Sequence, residues 1–351
     1  MQRRDFLGLA LPALGLFPLL AAGRLSVADS PAAAEGFVVR AGQSRFGVPT
    51  PFKGVNPNDL KVSARDTAGG LALFDYEGVE RAGPSLHRHL AQDEVFYVIE
   101  GDFLFQLGEQ KRLLHPGDTI FLPRQIQHSW VQRSARGRLL CWVQPAGQLE
   151  DFFVFMNQQK ARLPADEMAA VYARYGLQGL GPGLSPTADY ALSAALDAGF
   201  VVAAGAGRLG ERTRVAGRHP NDLKVAGRDT GGAFSLFEYT GTAKGGPPLH
   251  VHPHQDEIFY VVSGRYRFRV GAAEHELGPG DLIFLPRNVP HTFAQLTDAG
   301  RLLCSFQPTG RMEDFFRAAA ALPGRPTPAQ SARLFAAHDM RQVGPPLAVA
   351  E

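Results

Sequence analysis

The chain has 351 residues, 45% of them hydrophobic and 20% charged, with 39 Gly, 26 Pro and two Cys. That length suggests two ordinary domains, and the apolar fraction is ample for packed cores, which excludes disorder, a collagen-like chain and a disulfide scaffold. Thirty-six Lys and Arg against 34 Asp and Glu leave a net charge of +2 without a basic block, so nucleic acid is not expected as a partner.

In chain order, Gln2-Arg3-Arg4-Asp5-Phe6-Leu7 opens an apolar run from Phe6 to Gly23. A charged start followed by an apolar stretch reads as a targeting segment. The paired arginines resemble a twin-arginine export signal, with an ordinary secretory signal or a simple anchor as alternatives. Ser26 and Ala28 are small enough for a cleavage site, which makes residues 1–28 the signal and the protein an exported one, periplasmic or extracellular, carried by the twin-arginine machinery. Cleavage after Ala28 removes Arg3, Arg4, Arg24 and Asp5 and brings the net charge to zero. No other segment is long and apolar enough for a bilayer.

After the signal the sequence repeats. Phe37-Val38-Val39 recurs as Phe200-Val201-Val202, and the same shift of 163 carries Pro57 to Val62 onto Pro220 to Val225 and Glu150 to Phe153 onto Glu313 to Phe316. A period this long is a duplicated domain. The first unit spans residues 37–183, a linker 184–199, and the second unit 200–346, with Gly179 to Pro186 as the most linker-like stretch. Each unit opens with short alternating strands punctuated by Gly and Pro, such as Glu94 to Ile99 and Arg265 to Val270. Each closes with weakly amphipathic helices: Glu150 to Lys160 and Ala165 to Tyr175, then Glu313 to Ala321 and Pro328 to Met340. The expected architecture is all-β, two barrels or sandwiches in tandem, each with a short helical appendage.

Chemistry concentrates in one constellation that occurs twice. His87, His89, Glu94 and His128 return at the 163 shift as His250, His252, Glu257 and His291. Two His two residues apart on a strand leave by the same face, while Arg88 leaves by the other. The four residues between His89 and Glu94 allow a tight turn that lays the Glu beside the His pair, on the same face as Phe96 and Val98. His128 follows an apolar strand and a proline stop, so it can return from a third strand. Three neutral imidazoles and one carboxylate suit one divalent transition metal per unit, with Fe, Mn, Ni, Cu and Zn all compatible. Of the remaining His, His115, His219, His254, His275 and His338 have no counterpart in the other unit and read as surface or loop residues. Cys141 and Cys304, one in each unit, read as buried thiols, and Asn58-Asp59 as a turn entering a strand.

The pattern Gly-x₃-His-x-His-x₄-Glu-x₆-Gly followed by Gly-x₅-Pro-x₄-His closely resembles the two motifs of the cupin superfamily, in both units. It departs in the opening Gly83 and Gly246, which stand closer to the first His than usual, and in Gln125 and Asn288, which replace a glycine. The resemblance implies a bicupin: two jelly-roll (double-stranded β-helix) barrels in tandem. Within that superfamily, Glu94 to Gly101 and Glu257 to Gly264 look like the quercetin 2,3-dioxygenase group. That likeness implies an oxygen-dependent cleavage of a flavonol or related aromatic substrate with loss of carbon monoxide, Glu94 or Glu257 acting as general base. Phe96, Val98, Phe105 and Phe121 in the first unit, and Phe259, Val261, Phe268 and Phe284 in the second, are then the expected pocket walls. Other bicupin chemistry, notably Mn-dependent oxalate decarboxylation or oxidation, is the main alternative, and a non-catalytic metal-binding bicupin a further one. Oxalate calls for an Arg beside the metal, and Arg88 is expected to point away. A homodimer is among the assemblies left open.

Overall fold

The computed structural model describes residues 35–349 apart from Arg162, Gly217 and Arg325, so the expected signal segment lies outside the described residues. The described residues form two barrels, each built from one large and one five-stranded antiparallel sheet. In the first barrel the large sheet runs, in spatial order, Thr119–Leu122, Asp93–Glu100, Gly137–Gln144, Ala72–Gly78 and Asn58–Val62. The facing sheet runs Leu177–Gly181, Leu86–His89, His128–Gln132, Phe103–Leu107 and Gln110–Leu114. The second barrel repeats both, and its large sheet ends on an extra strand, Thr213–Val215.

Alternation along each strand assigns its side chains to two different interiors. Along Asp93–Glu100, Phe96 and Val98 join the core between the sheets of the first barrel, while Val95 and Tyr97 enter a separate cluster on the outer face. That second cluster is shared. Val62, Leu73, Val95, Tyr97 and Trp142 of the first large sheet meet Val225, Leu236, Ile258, Tyr260 and Leu303 of the other. The two large sheets therefore pack back to back, and their strands bury side chains on both faces.

The barrels also exchange an edge strand. Phe37–Val39 pairs with Leu282–Leu285 of the second barrel, and Phe200–Val202 pairs with Thr119–Leu122 of the first. The repeat places Phe37 and Phe200 at the starts of their own units, yet each completes the sheet of the other. Aromatic stacking anchors both strands: Phe37 on Phe284 at 5.0 Å and Phe200 on Phe121 at 5.1 Å, the planes nearly parallel in each pair. Arg45 and Arg208 cap the outer faces of Phe37 and Phe200, each 3.7 Å from the ring centroid. The Asp of each Pro-Gly-Asp turn holds the chain beyond: Asp281 accepts from the Ala41 N–H and Asp118 from the Ala204 N–H, both at 2.9 Å.

A buried ionic network crosses the same interface. The Asp75 carboxylate takes a two-pronged contact from Arg138, at 2.7 and 2.8 Å, and a hydrogen bond from the Tyr260 hydroxyl of the other barrel at 3.0 Å. Lys61, fully buried, lies 3.8 Å from Asp75 and donates to the carbonyls of Arg40 and Gln43, which follow the exchanged strand. The second barrel mirrors this with Glu238, Lys224 and Arg301.

Four helices follow the barrels: Leu149–Asn157 and Ala165–Arg174 in the first unit, Met312–Ala320 and Pro328–Ala336 in the second. Pro328–Ala336 begins at a capping box, in which Thr327 Oγ1 accepts from the Gln330 N–H and the Gln330 side chain answers the Thr327 N–H. It stops four residues short of Met340 because Asp339 takes a positive φ of 62° that a helix cannot accommodate. Part of the expected linker is sheet: Leu177–Gly181 pairs with Leu86–His89. Asn58 and Asp59 are likewise within a strand rather than a turn, and Asn58 is buried there. Among the described residues no helix is long and apolar enough to cross a membrane.

Candidate metal centres

Strands from both sheets of each barrel deliver the ligand candidates. His87 and His89 lie on Leu86–His89, His128 opens the neighbouring strand directly opposite His87, and Glu94 comes across the barrel from the large sheet. The four side chains offer donor atoms that all lie within 4.8 Å of one another, and the second set, His250, His252, Glu257 and His291, does the same. All eight are buried. Glycine permits this closeness. A Cβ on Gly83 or Gly246 would sit 1.7 Å from the carbonyl oxygen of Trp130 or Phe293, so these two glycines let the approaching loop touch the strand that carries the third histidine.

Backbone carbonyls set the tautomers. His87 Nδ1 lies 2.8 Å from the Ser85 carbonyl and His128 Nδ1 lies 3.0 Å from that of Ile126; His250 and His291 make the same contacts with Pro248 and Val289 at 2.8 and 2.9 Å. A proton on Nδ1 leaves Nε2 as a lone pair aimed inward. Those lone pairs crowd together: His250 Nε2 and His252 Nε2 are 3.1 Å apart, and His291 Nε2 is 3.0 Å from Glu257 Oε2. His128 Nε2, His291 Nε2 and Glu257 Oε2 are buried without a hydrogen-bond donor among the described residues. Converging, desolvated acceptors need a cation between them, and three imidazoles with one carboxylate fit a divalent transition metal.

Electrostatics keeps the ligands ready. Burial, reinforced by His128 and His89, pushes His87 down to about 3, and burial with neighbouring imidazoles holds His250 and His252 well below the ordinary value. Burial pushes the Glu94 carboxyl up, but His89 and His128 outweigh it and hold the group at about 2. His87, His250 and His252 are thus neutral and able to coordinate at physiological pH. They also link stability to acid. The unfolded chain protonates its histidines near 6.5 while His87 resists to about 3, so this contribution is complete above about 6.5 and is lost as pH falls towards 3. The thermal midpoint of metal-free protein is expected to drop steadily between pH 7 and pH 4; a flat profile in calorimetry would contradict it.

The thiols sit closer to the chemistry than their apolar surroundings suggested. Both cysteines are free and buried, as expected. Cys304 Sγ, however, donates to Glu257 Oε1 at 3.1 Å, and Cys141 Sγ lies 3.8 Å from Glu94 Oε1. Burial pushes both thiols up, so each remains a protonated donor that orients its glutamate. The cue was positional: each Cys pairs in register with the Phe two residues after its Glu.

A cavity of about 870 Å³ opens over the second cluster. His250, His252, Glu257 and His291 lie in its wall, with Phe259, Phe293 and Phe306 from the barrel and Phe315, Phe316 and Phe335 from the helices. The helical appendage is therefore the far wall of the chamber. Of the expected pocket residues in this unit, Phe259 lines it, whereas Val261 and Phe268 are packed in the barrel core. Phe284 is on the opposite face, against Phe37, and its counterpart Phe121 against Phe200. Inward positions on Thr119–Leu122 are Ile120 and Leu122, so the alternation carries Phe121 into the cluster between barrels. Phe96, Val98 and Phe105 belong to the core of the first barrel.

Arg88 points away from its cluster, donating to Gln178 at 2.8 Å on the exposed side. His115 and His254 are exposed and His275 half-buried, but two of the unmatched histidines are buried: His219 opens a strand, and His338 lies in the turn after Pro328–Ala336. His219 is buried in the cavity wall and accepts from the Thr242 N–H at 3.0 Å, and His338 is buried against Phe315. Gln125 and Asn288, which stand where the motif has glycine, keep positive φ values of 69° and 66°. Their N–H groups donate to the carbonyls of His89 and His252 at 2.8 Å, so the turn retains its shape and still braces the second ligand.

If each cluster holds one ion, the metal-loaded protein contains two per chain. His128→Ala and His291→Ala are each expected to remove one, as read by elemental analysis; loss of both ions from either variant would show that the sites are not independent.

A family model for the cupin domain matches residues 73–143 and 238–306. Among known proteins, quercetin 2,3-dioxygenase of Bacillus subtilis strain 168 is 25% identical over 270 residues, covering 74% of this chain and 79% of that protein. Among solved structures, a single-residue variant of oxalate decarboxylase from Bacillus subtilis superposes with a TM-score of 0.55 at 14% identity, over 90% of both chains. An 11S globulin from Wrightia tinctoria gives 0.54 at 10% identity, over 78% of this chain and 83% of its own. At such identities the structural likeness shows the fold alone. The chain is a bicupin in architecture, two cupin domains in tandem, each enclosing a buried cluster of three histidines and one glutamate.

Proposed function

We propose that the protein is a metal-dependent dioxygenase that cleaves an aromatic, flavonol-like substrate. The observation that carries this reading is the chamber itself: about 870 Å³ of space with aromatic walls that ends on an imidazole–carboxylate cluster. Its size and apolar lining suit a flat, multi-ring molecule, and the sequence likeness to a quercetin 2,3-dioxygenase points the same way.

A bound divalent metal would supply Lewis acidity, lowering the pKa of a substrate hydroxyl, and a place for dioxygen. The residues do the rest. Glu257 offers the carboxylate that accepts the hydroxyl proton, and Cys304 fixes its orientation. Phe259, Phe293 and Phe335 bound the space in which the rings lie, and with Phe315 of the helical wall they exclude bulk water.

Oxalate is the competing substrate. A small dianion needs a cation beside the cluster, and among the described residues the cations of the cavity wall, Arg218 and Lys244, are both exposed. That favours the aromatic reading.

The test is incubation of protein loaded separately with Fe, Mn, Ni, Cu or Zn with quercetin under oxygen. Loss of flavonol absorbance with release of carbon monoxide is the expected result. Unchanged absorbance with all five metals, or carbon dioxide and formate from oxalate instead, would overturn it.

A further inference from the structure

The two clusters match residue for residue, yet the space above them does not. At the 163 shift, Phe52 becomes Val215, Trp130 becomes Phe293 and Met156 becomes Ala319. In the first barrel Phe52 stacks on Trp130 with ring centroids 5.6 Å apart and meets Tyr76 edge-on at 5.8 Å. Trp130 in turn packs on Phe96 and Phe103, so these rings fill the end of the barrel. Val215, Phe293 and Ala319 instead line the 870 Å³ cavity. One exchange runs the other way: Val143 becomes Phe306, which lies beside His252 at 5.6 Å. It adds an aromatic wall next to the cluster without refilling the space that Phe52 and Trp130 occupy.

The hydrogen bonds change in concert with the volumes. Tyr76 Oη accepts from Asn56 Nδ2 at 3.0 Å and donates to Gln132 Oε1 at 3.4 Å. In the second barrel Asn56 becomes His219, whose Nδ1 is taken by the Thr242 N–H. Phe103 becomes Tyr266, whose hydroxyl claims Gln295 Oε1 at 3.3 Å. Both former partners of the Tyr76 hydroxyl are thereby withdrawn from its counterpart, Tyr239. Tyr239 stays in the cavity wall, packed on His219 and Phe293, and its hydroxyl makes no hydrogen bond among the described residues. Burial pushes that phenol up to about 12, so it is a donor throughout the physiological range. A free phenolic donor in an apolar wall is satisfied by a polar group on whatever fills the chamber.

We infer that the two metal sites are unequal: the second barrel is the substrate chamber, with Tyr239 as a specificity-determining donor to an oxygen atom of the ligand, while Phe52 and Trp130 close the first. This deepens the aromatic-substrate reading and rests on it for the identity of the ligand, but not for the difference in access. Tyr239 touches ligand, whereas Phe52 and Trp130 act by excluding it.

Two measurements on the full chain separate these claims. The first needs no substrate. Zinc-loaded protein is mixed with the chelator 4-(2-pyridylazo)resorcinol, and release is expected in two phases of equal amplitude. The paired change Val215→Phe/Phe293→Trp is expected to slow the fast phase at least tenfold, and Phe52→Val/Trp130→Phe to quicken the slow phase by a similar factor. A single phase, or rates untouched by either pair in variants whose circular dichroism and melting match the wild type, overturns the inference.

The second measurement is calorimetric titration with quercetin. One equivalent per chain is expected, weakened about five- to tenfold by Tyr239→Phe and lost in Val215→Phe/Phe293→Trp. Two equivalents in the wild type, or unaltered affinity in Tyr239→Phe, overturns it. Absence of any quercetin binding counts against the proposed substrate alone, and the chelator rates then decide the question of access.

Discussion

Glu257→Gln is expected to lower flavonol turnover by about 10²–10⁴-fold, the usual worth of a positioned general base. The amide keeps the shape of the side chain but cannot take the substrate proton, and it removes the one carboxylate from a cluster whose other members are imidazoles. Its amide oxygen can still accept the hydrogen bond that Cys304 donates, so the orientation of the side chain is retained. Quercetin consumption should be measured beside metal content, so that loss of the ion and loss of the base are told apart. A variant that holds its full complement of metal and turns over at the wild-type rate would refute the role given to Glu257.

The largest effect on stability is expected from Asp75→Ala, about 3–5 kcal/mol, because it strands buried charge rather than merely deleting a contact. Arg138 loses both prongs of its contact, Tyr260 loses its acceptor from across the interface, and Lys61, fully buried, loses an ionic neighbour. Burial already pushes Lys61 down and Asp75 and Asp59 oppose that, so without Asp75 its buried ammonium keeps only Asp59, 3.7 Å away, as an ionic partner. Denaturant unfolding is the check. Both barrels should be weakened together, since Asp75 joins them; a loss below about 1 kcal/mol would place the network among ordinary surface pairs.

Much of the candidate site was legible before any fold was known. Two-residue spacing put His87 and His89 on one face of a strand, and the structure pairs His87 with His128 across the neighbouring strand. Repetition at a fixed shift separated ligands from unmatched histidines such as His115 and His254. The same logic misplaced His219, which opens a buried strand, because lack of a counterpart says nothing about burial. His219 is in the wall of the one chamber that differs between the barrels, where a difference in sequence is the signal itself.

The pocket residues show a second limit. Phe121 and Phe284 sit on strands buried on both faces, and a continuous apolar run does not reveal which side faces the barrel interior. Only the pairing with the exchanged strands decides it. Those strands were themselves hidden for a related reason: Phe37-Val38-Val39 looks like the first strand of its own unit, and a duplicated sequence offers each copy two nearly identical edges to complete.

What the sequence determined by itself, then, is the local chemistry: which residue types recur, at what spacing, and hence two sets of three imidazoles and one carboxylate inside β-structure. Strand periodicity and metal chemistry are short-range properties and survive in one dimension. The tertiary structure alone decided what depends on contacts between distant segments. It crossed the edge strands between barrels, buried Asp75 and Lys61 at their interface, and left the second cluster open where Val215 and Phe293 replace the stacked rings of Phe52 and Trp130. Free volume is a property of packing, and a pair of substitutions reads as a cavity only once both side chains are seen to face the same space.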